Sequence, residues 1–106
     1  MKTSLSVYDF RDAFHKAGRG EQFSYEGLGF LHRYFEEIEE DTGEEIELDV
    51  IAICCDFAEN DWSTIVRDYG IDVEDGNEFD DVLNYLLDHT TIVGTTDNGN
   101  IVYRQF

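Results

Sequence analysis

The chain has 106 residues, enough for one domain with one core and too few for a deep multi-domain cleft. Asp and Glu number 25 against 7 Lys and Arg, for a net charge of -18, while 42% hydrophobic and 14% aromatic residues are too many for a solvated acidic tail. The composition describes a single acidic globular domain over 1–106, for which binding to DNA, RNA or anionic lipid is disfavoured by repulsion and a basic partner is expected.

Pro is absent, so Gly, Asn and Asp clusters mark the stops. Val7, Phe10, Phe14 and Ala17 recur at helical spacing after Ser6, with Asp9 placed as in a capping box, and Gly18 ends this first helix. A second helix starts at Ser24, where Phe23 and Leu28 fit a hydrophobic staple, and Leu28, Leu31, Phe35 and Ile38 continue its stripe to a stop at Gly43. Gly27 and Gly29 each cost about 1 kcal/mol against Ala inside a helix, which implies close packing or a soft first turn. The alternation of Ile46, Leu48, Val50, Ala52 and Cys54 with their neighbours predicts a central strand over Ile46–Cys55.

Asn60 or Asp61 caps a short third helix, with Trp62, Ile65, Val66 and Tyr69 on one face and Gly70 at its end. A fourth begins near Asn77 and turns Phe79, Val82, Leu83 and Leu86 inward, with Tyr85 beside them. Thr91–Val93 and Ile101–Tyr103 flank Asp97-Asn98-Gly99-Asn100 and predict a hairpin in which Asn-Gly supplies the positive φ values of a tight turn. The fold class is α+β: about four helices packed on a small, three-stranded antiparallel sheet with a C-terminal hairpin, its strand order open.

Eight of the twelve residues from Glu36 to Glu47 are acidic: Glu36, Glu37, Glu39, Glu40, Asp41, Glu44, Glu45 and Glu47. A solvated helix face is the ordinary explanation of such a run. Two features oppose it. The run occupies a helix C-terminus, where the dipole favours cations, and Glu36/Glu40 and Glu37/Asp41 are like charges four residues apart; each costs a few tenths of a kcal/mol. Arg33 can relieve Glu37, but no other basic residue lies between Arg33 and Arg67. Asp72, Glu74 and Asp75, with Glu78, Asp80 and Asp81, form a second cluster at a helix N-terminus, where capping and the dipole account for most of it. Carboxylates one helical turn apart stand about 5–6 Å from each other, comparable to phosphates along a strand, so such an array can occupy a phosphate-binding groove through charge-assisted bonds to Arg and Lys. The two clusters form one surface if their helices lie on the same side.

Other chemistry finds no pattern. Asp72-Val73-Glu74-Asp75-Gly76-Asn77 departs from a calcium loop, with Gly at the fifth position and Leu83 in place of the bidentate Glu, leaving loose divalent-ion binding at most. His15, His32 and His89 read as surface or helix-end residues, adjacent Cys54 and Cys55 as core thiols, and Gly18-Arg19-Gly20 lacks a Walker lysine. No metal, cofactor or catalytic set is expected. The aromatics Tyr8, Phe10, Phe14, Tyr25, Phe30, Tyr34 and Phe35 read as core and boundary residues of the fold, with Tyr34, Trp62 or Tyr69 the alternatives for the rim of a protein interface. No apolar run approaches the roughly 20 residues of a membrane helix and no signal-peptide core follows Lys2, so a cytoplasmic protein without a membrane partner is expected.

Glu47-Leu48-Asp49-Val50-Ile51-Ala52-Ile53-Cys54-Cys55, the following Asp56-Phe57-Ala58-Glu59, and the closing Thr90-Thr91-Ile92-Val93-Gly94 and Ile101-Val102-Tyr103 resemble a motif of small acidic proteins encoded by phages and prophages. That resemblance implies a bacterial host cytoplasm and a context of antirestriction or anti-CRISPR inhibitors that imitate DNA; it carries no catalytic residues. The expected function is a non-enzymatic inhibitor that blocks the nucleic-acid-binding groove of a host defence complex. The alternative is an acidic phage adaptor that binds a basic partner through an apolar patch. The sequence leaves the oligomeric state open, a dimer included.

Overall fold

A computed structural model describes residues 6–19 and 21–106. Lys2 and Gly20, weighed above for a leader and a phosphate loop, lie outside the described residues. Ser6 caps α1 (Val7–Lys16) by accepting from the Asp9 amide at 3.2 Å, while Asp9 accepts in return from the Ser6 amide. Ser24 caps α2 (Tyr25–Thr42), which stops at Gly43. The first core joins Phe10 and Phe14 of α1 to Phe23, Leu28 and Leu31 at the start of α2.

The predicted strand over Ile46–Cys55 is not formed. Residues 43–49 are irregular, and Asp49 accepts from the Ala52 amide at 3.1 Å to cap a short helix, α3 (Val50–Asp56). A continuous apolar run carries no periodicity that separates a buried strand from a helix, and the Asp cap decides it. Turning helically, the run buries Ile53 and Cys54 and leaves Ile51 half exposed. The strand instead follows, as β1 (Phe57–Asp61). Next come α4 (Trp62–Tyr69), capped by Asp61 and ended at Gly70, then α5 (Glu78–His89), β2 (Ile92–Thr95) and β3 (Asn100–Arg104). The described residues thus hold five helices, one more than expected, and the sheet has the order β1-β3-β2, antiparallel throughout. Fold class and C-terminal hairpin agree with the sequence reading.

Alternation along β3 sends its side chains to two cores. Val102 joins Phe57 and the α1, α2 and α3 residues on one face; Ile101 and Tyr103 join Ile65 of α4 and Val82 and Leu86 of α5 on the other. Both faces of the sheet are covered. Burial pushes the Tyr103 phenol up to about 12, so it stays neutral and accepts from Asn60 Nδ2 across the β1–β3 pair at 3.2 Å. The hairpin departs from expectation in detail: only glycines have positive φ among the described residues, and Gly99 alone supplies it, at 86°. Gly99 donates to the Thr96 carbonyl, the pattern of a type I turn closed by a left-handed glycine.

Gly27 marks close packing. A Cβ there would overlap Glu59 Oε1, which accepts from the Ser24 amide and hydroxyl at 3.0 and 2.9 Å, while Oε2 accepts from Asn100 Nδ2 at 3.0 Å. The carboxylate of β1 thereby ties the N-terminus of α2 to β3, where the helix dipole favours it. Gly27→Ala gains about 1 kcal/mol of helix propensity but displaces these charge-assisted bonds, each worth roughly 1.5–3 kcal/mol, and is expected to lower stability in urea titrations. Gly29 makes room for Arg11, whose Nε and Nη2 donate to the Tyr25 carbonyl at 3.0 and 2.9 Å with the guanidinium 3.4 Å from the Tyr25 ring centroid.

Asp61 carries a pH signature. Hydrogen bonds from Thr64, and more weakly from Ser63, hold its carboxyl below the usual Asp range. A lowered folded value means its stabilisation is complete above the unfolded Asp value and is lost as pH falls through the folded one. Asp61→Ala is expected to cost about 1 kcal/mol at neutral pH, and its melting temperature should converge on the parent's in acid.

Candidate functional site

At about 3.6 residues per turn, a stripe of Leu28, Leu31, Phe35 and Ile38 toward the sheet leaves Glu36, Glu37, Glu40 and Asp41 on the opposite face of α2, all exposed. No basic residue occupies the last turn. The helix is closed instead by the Gly43 amide donating to the Glu39 carbonyl and by Thr42 Oγ1 donating to the Ile38 carbonyl, both at 2.8 Å. Glu39 differs from its neighbours: half-buried, it accepts from the Ile46 amide at 2.9 Å and folds residues 43–49 back beside the helix. Glu44, Glu45 and Glu47 extend the exposed carboxylates along this returning segment.

Few cations meet them. Among the described residues the ion pairs are Lys16 with Asp12, Arg67 with Asp68, and His32 Nε2 with Glu36 Oε1 at 3.3 Å. Arg33, expected to relieve Glu37, lies over the Phe30 ring instead, 5.6 Å from its centroid. Glu37, Glu40, Asp41, Glu44, Glu45 and Glu47 therefore have no basic side chain within ion-pair range among the described residues. His32 corrects the sequence reading, being buried in mid-helix with its ring edge-on to Phe10 at 5.5 Å; His15 and His89 do lie exposed in last turns.

The second cluster stands elsewhere. Asp72, Glu74 and Asp75 are exposed in the segment between α4 and α5, whose apolar residues Ile71 and Val73 pack into the core on the other face of the sheet. Its neighbours act locally: Asp81 Oδ2 accepts from the Glu74 amide at 2.8 Å, and Glu78 Oε1 from the Gly76 amide at 3.0 Å, which, with its own amide, holds the Glu78 carboxyl below the usual range. Asn77 precedes α5 without a side-chain capping bond. Opposite layers carry the two clusters, so a candidate surface rests on the Glu36–Glu47 run.

Beside that run lies a cleft the sequence reading missed. Its volume is about 250 Å³, with Tyr34, Phe35, Ile38, Ile46, Ile53 and Phe57 as its apolar lining. Tyr34, Phe35 and Phe57 form an edge-to-face triad with centroids 5.3–5.7 Å apart. Glu47, Asp49 and Asp56 line it as well, against one guanidinium, Arg104. Ile46, a single apolar residue between two glutamates, was the available signal.

No group of three or more His, Cys, Asp or Glu among the described residues is arranged to hold a metal ion. Both cysteines are free; Cys54 is buried, which pushes its thiol up, away from the reactive thiolate, and Cys55 is exposed. No helix of the described residues is long and apolar enough to cross a membrane. Comparison of the chain with models of protein families, with curated proteins and with solved structures finds no match.

Proposed function

We propose that this protein is a non-enzymatic inhibitor that presents the Glu36–Glu47 run as a phosphate surrogate to the nucleic-acid-binding groove of a host defence complex, of the anti-CRISPR or antirestriction type. The observation that carries the reading is a set of exposed carboxylates, Glu37, Glu40, Asp41, Glu44, Glu45 and Glu47, that meet no basic side chain in ion-pair range among the described residues, at and just beyond a helix end where folding disfavours them. Glu36, Glu37, Glu40, Asp41, Glu44 and Glu45 take the place of phosphates, Glu39 braces the returning segment, and Arg and Lys of the target supply the countercharge. The resemblance to small acidic phage proteins supports the same reading, in which the encounter takes place in a bacterial cytoplasm.

Affinity capture from bacterial lysate on the immobilised protein tests this. Bound target should elute steeply with salt and be displaced by duplex DNA. A target that DNA fails to displace overturns groove occupancy. Salt-insensitive capture, lost on substituting exposed aromatics such as Tyr8 or Tyr25, supports the adaptor reading instead.

A further inference from the structure

Charge alone does not distinguish one phosphate-binding groove from another, and the cleft beside the acidic run offers what DNA lacks. Its volume of about 250 Å³ falls below the roughly 300–1,000 Å³ of small-molecule sites, which argues against a cofactor and for a single side chain. Most of the lining is aromatic and aliphatic, and its ionisable groups are three carboxylates to one guanidinium. Acids flanking a bound apolar side chain would meet repulsion there; Lys and Arg would meet partners. We infer that the cleft receives one apolar side chain from a cationic peptide segment of the partner, the neighbouring basic residues reaching Glu47, Asp49 and Asp56. This rests on the reading above that the acidic run meets a basic protein, and adds the element that selects one such protein among many.

Three synthetic peptides test it on the isotope-labelled chain by amide chemical shifts: a Lys/Arg peptide with one central Leu, the same peptide with Ala in its place, and a Glu/Asp peptide with the Leu. The first should shift amides of Ile38, Ile46, Ala52 and Ile53, the second should bind on the order of tenfold to a hundredfold more weakly, and the third should not bind. Ala52 lines the cleft and is exposed, so Ala52→Phe fills it without opening the core, and Ile46→Ser gives an independent loss of apolar lining. Both variants should abolish the preference for Leu over Ala. Equal binding by the two cationic peptides overturns the anchor while leaving the acidic-run reading intact, as does a preference that survives both variants. Binding of the acidic peptide, or no shift with any of the three, also overturns it. Failure of DNA to displace the captured target, by contrast, removes the groove reading itself.

Discussion

The combined variant Glu37→Lys, Glu40→Lys and Glu44→Lys is expected to melt above the parent chain while losing its partner. Reversal at Glu40 turns the Glu36/Glu40 repulsion into an attraction, and reversal at Glu37 does the same toward Asp41. At Glu40, in the last turn of α2, a cation also replaces an anion where the helix dipole favours it, a further few tenths of a kcal/mol. Against this stands one new like-charge pair, Arg33 with the residue at position 37. The sum is a gain of about 1 kcal/mol, or a rise of roughly 3–6 °C for a domain of this size. Binding should fall by orders of magnitude, because each reversed charge removes an attraction and adds a repulsion. Calorimetry and capture on the same preparation read both effects. Undiminished capture sinks the proposed function, and a lower melting temperature with a native circular dichroism spectrum sinks the claim that these anions oppose folding.

Phe10→Ala and Leu86→Ala are each expected to destabilise the domain as a whole, although the two residues lie on opposite faces of the sheet. Each is fully buried, Phe10 against Phe14 and His32 and Leu86 in the core with Tyr103. Truncation costs about 3–5 kcal/mol for the aromatic and about 2–5 kcal/mol for the leucine, a large part of the roughly 5–15 kcal/mol that holds a domain folded. Neither half is expected to survive alone, since β3 gives Val102 to one core and Ile101 and Tyr103 to the other. Urea titrations followed by far- and near-ultraviolet circular dichroism should give coincident transitions at lower midpoints. Separate transitions would show that the two faces are independent folding units.

Helix ends were the most legible part of the sequence, because each has a local chemical signature. Ser6 with Asp9, Ser24, Asp61, Gly43 and Gly70 all cap or stop the helices expected of them. The misread segment was Ile46–Cys55, where alternating apolar letters suggested a strand although Asp49 and Ala52 already had the spacing of a cap and its donor. β1 was overlooked for the opposite reason: Phe-Ala-Glu-Asn-Asp has little intrinsic strand character, and pairing with β3 makes it one. The acidic run could be read directly, but its contrast with the second cluster could not, since the side of the sheet is a tertiary fact. The cleft depends on the Glu39 carboxylate reaching the Ile46 amide, a bond that no local pattern announces.

The Glu59 carboxylate makes α2 a cantilever. Its root is clamped through Ser24 and Asn100 and by Arg11 on the Tyr25 carbonyl, whereas its tip is held by Thr42, Gly43 and the Glu39 brace, under the mutual repulsion of its own carboxylates. Amide exchange should therefore quicken from root to tip. A polycation arriving at the tip would relieve that repulsion and slow exchange there, so binding should be felt at the free end of the lever before it reaches the root.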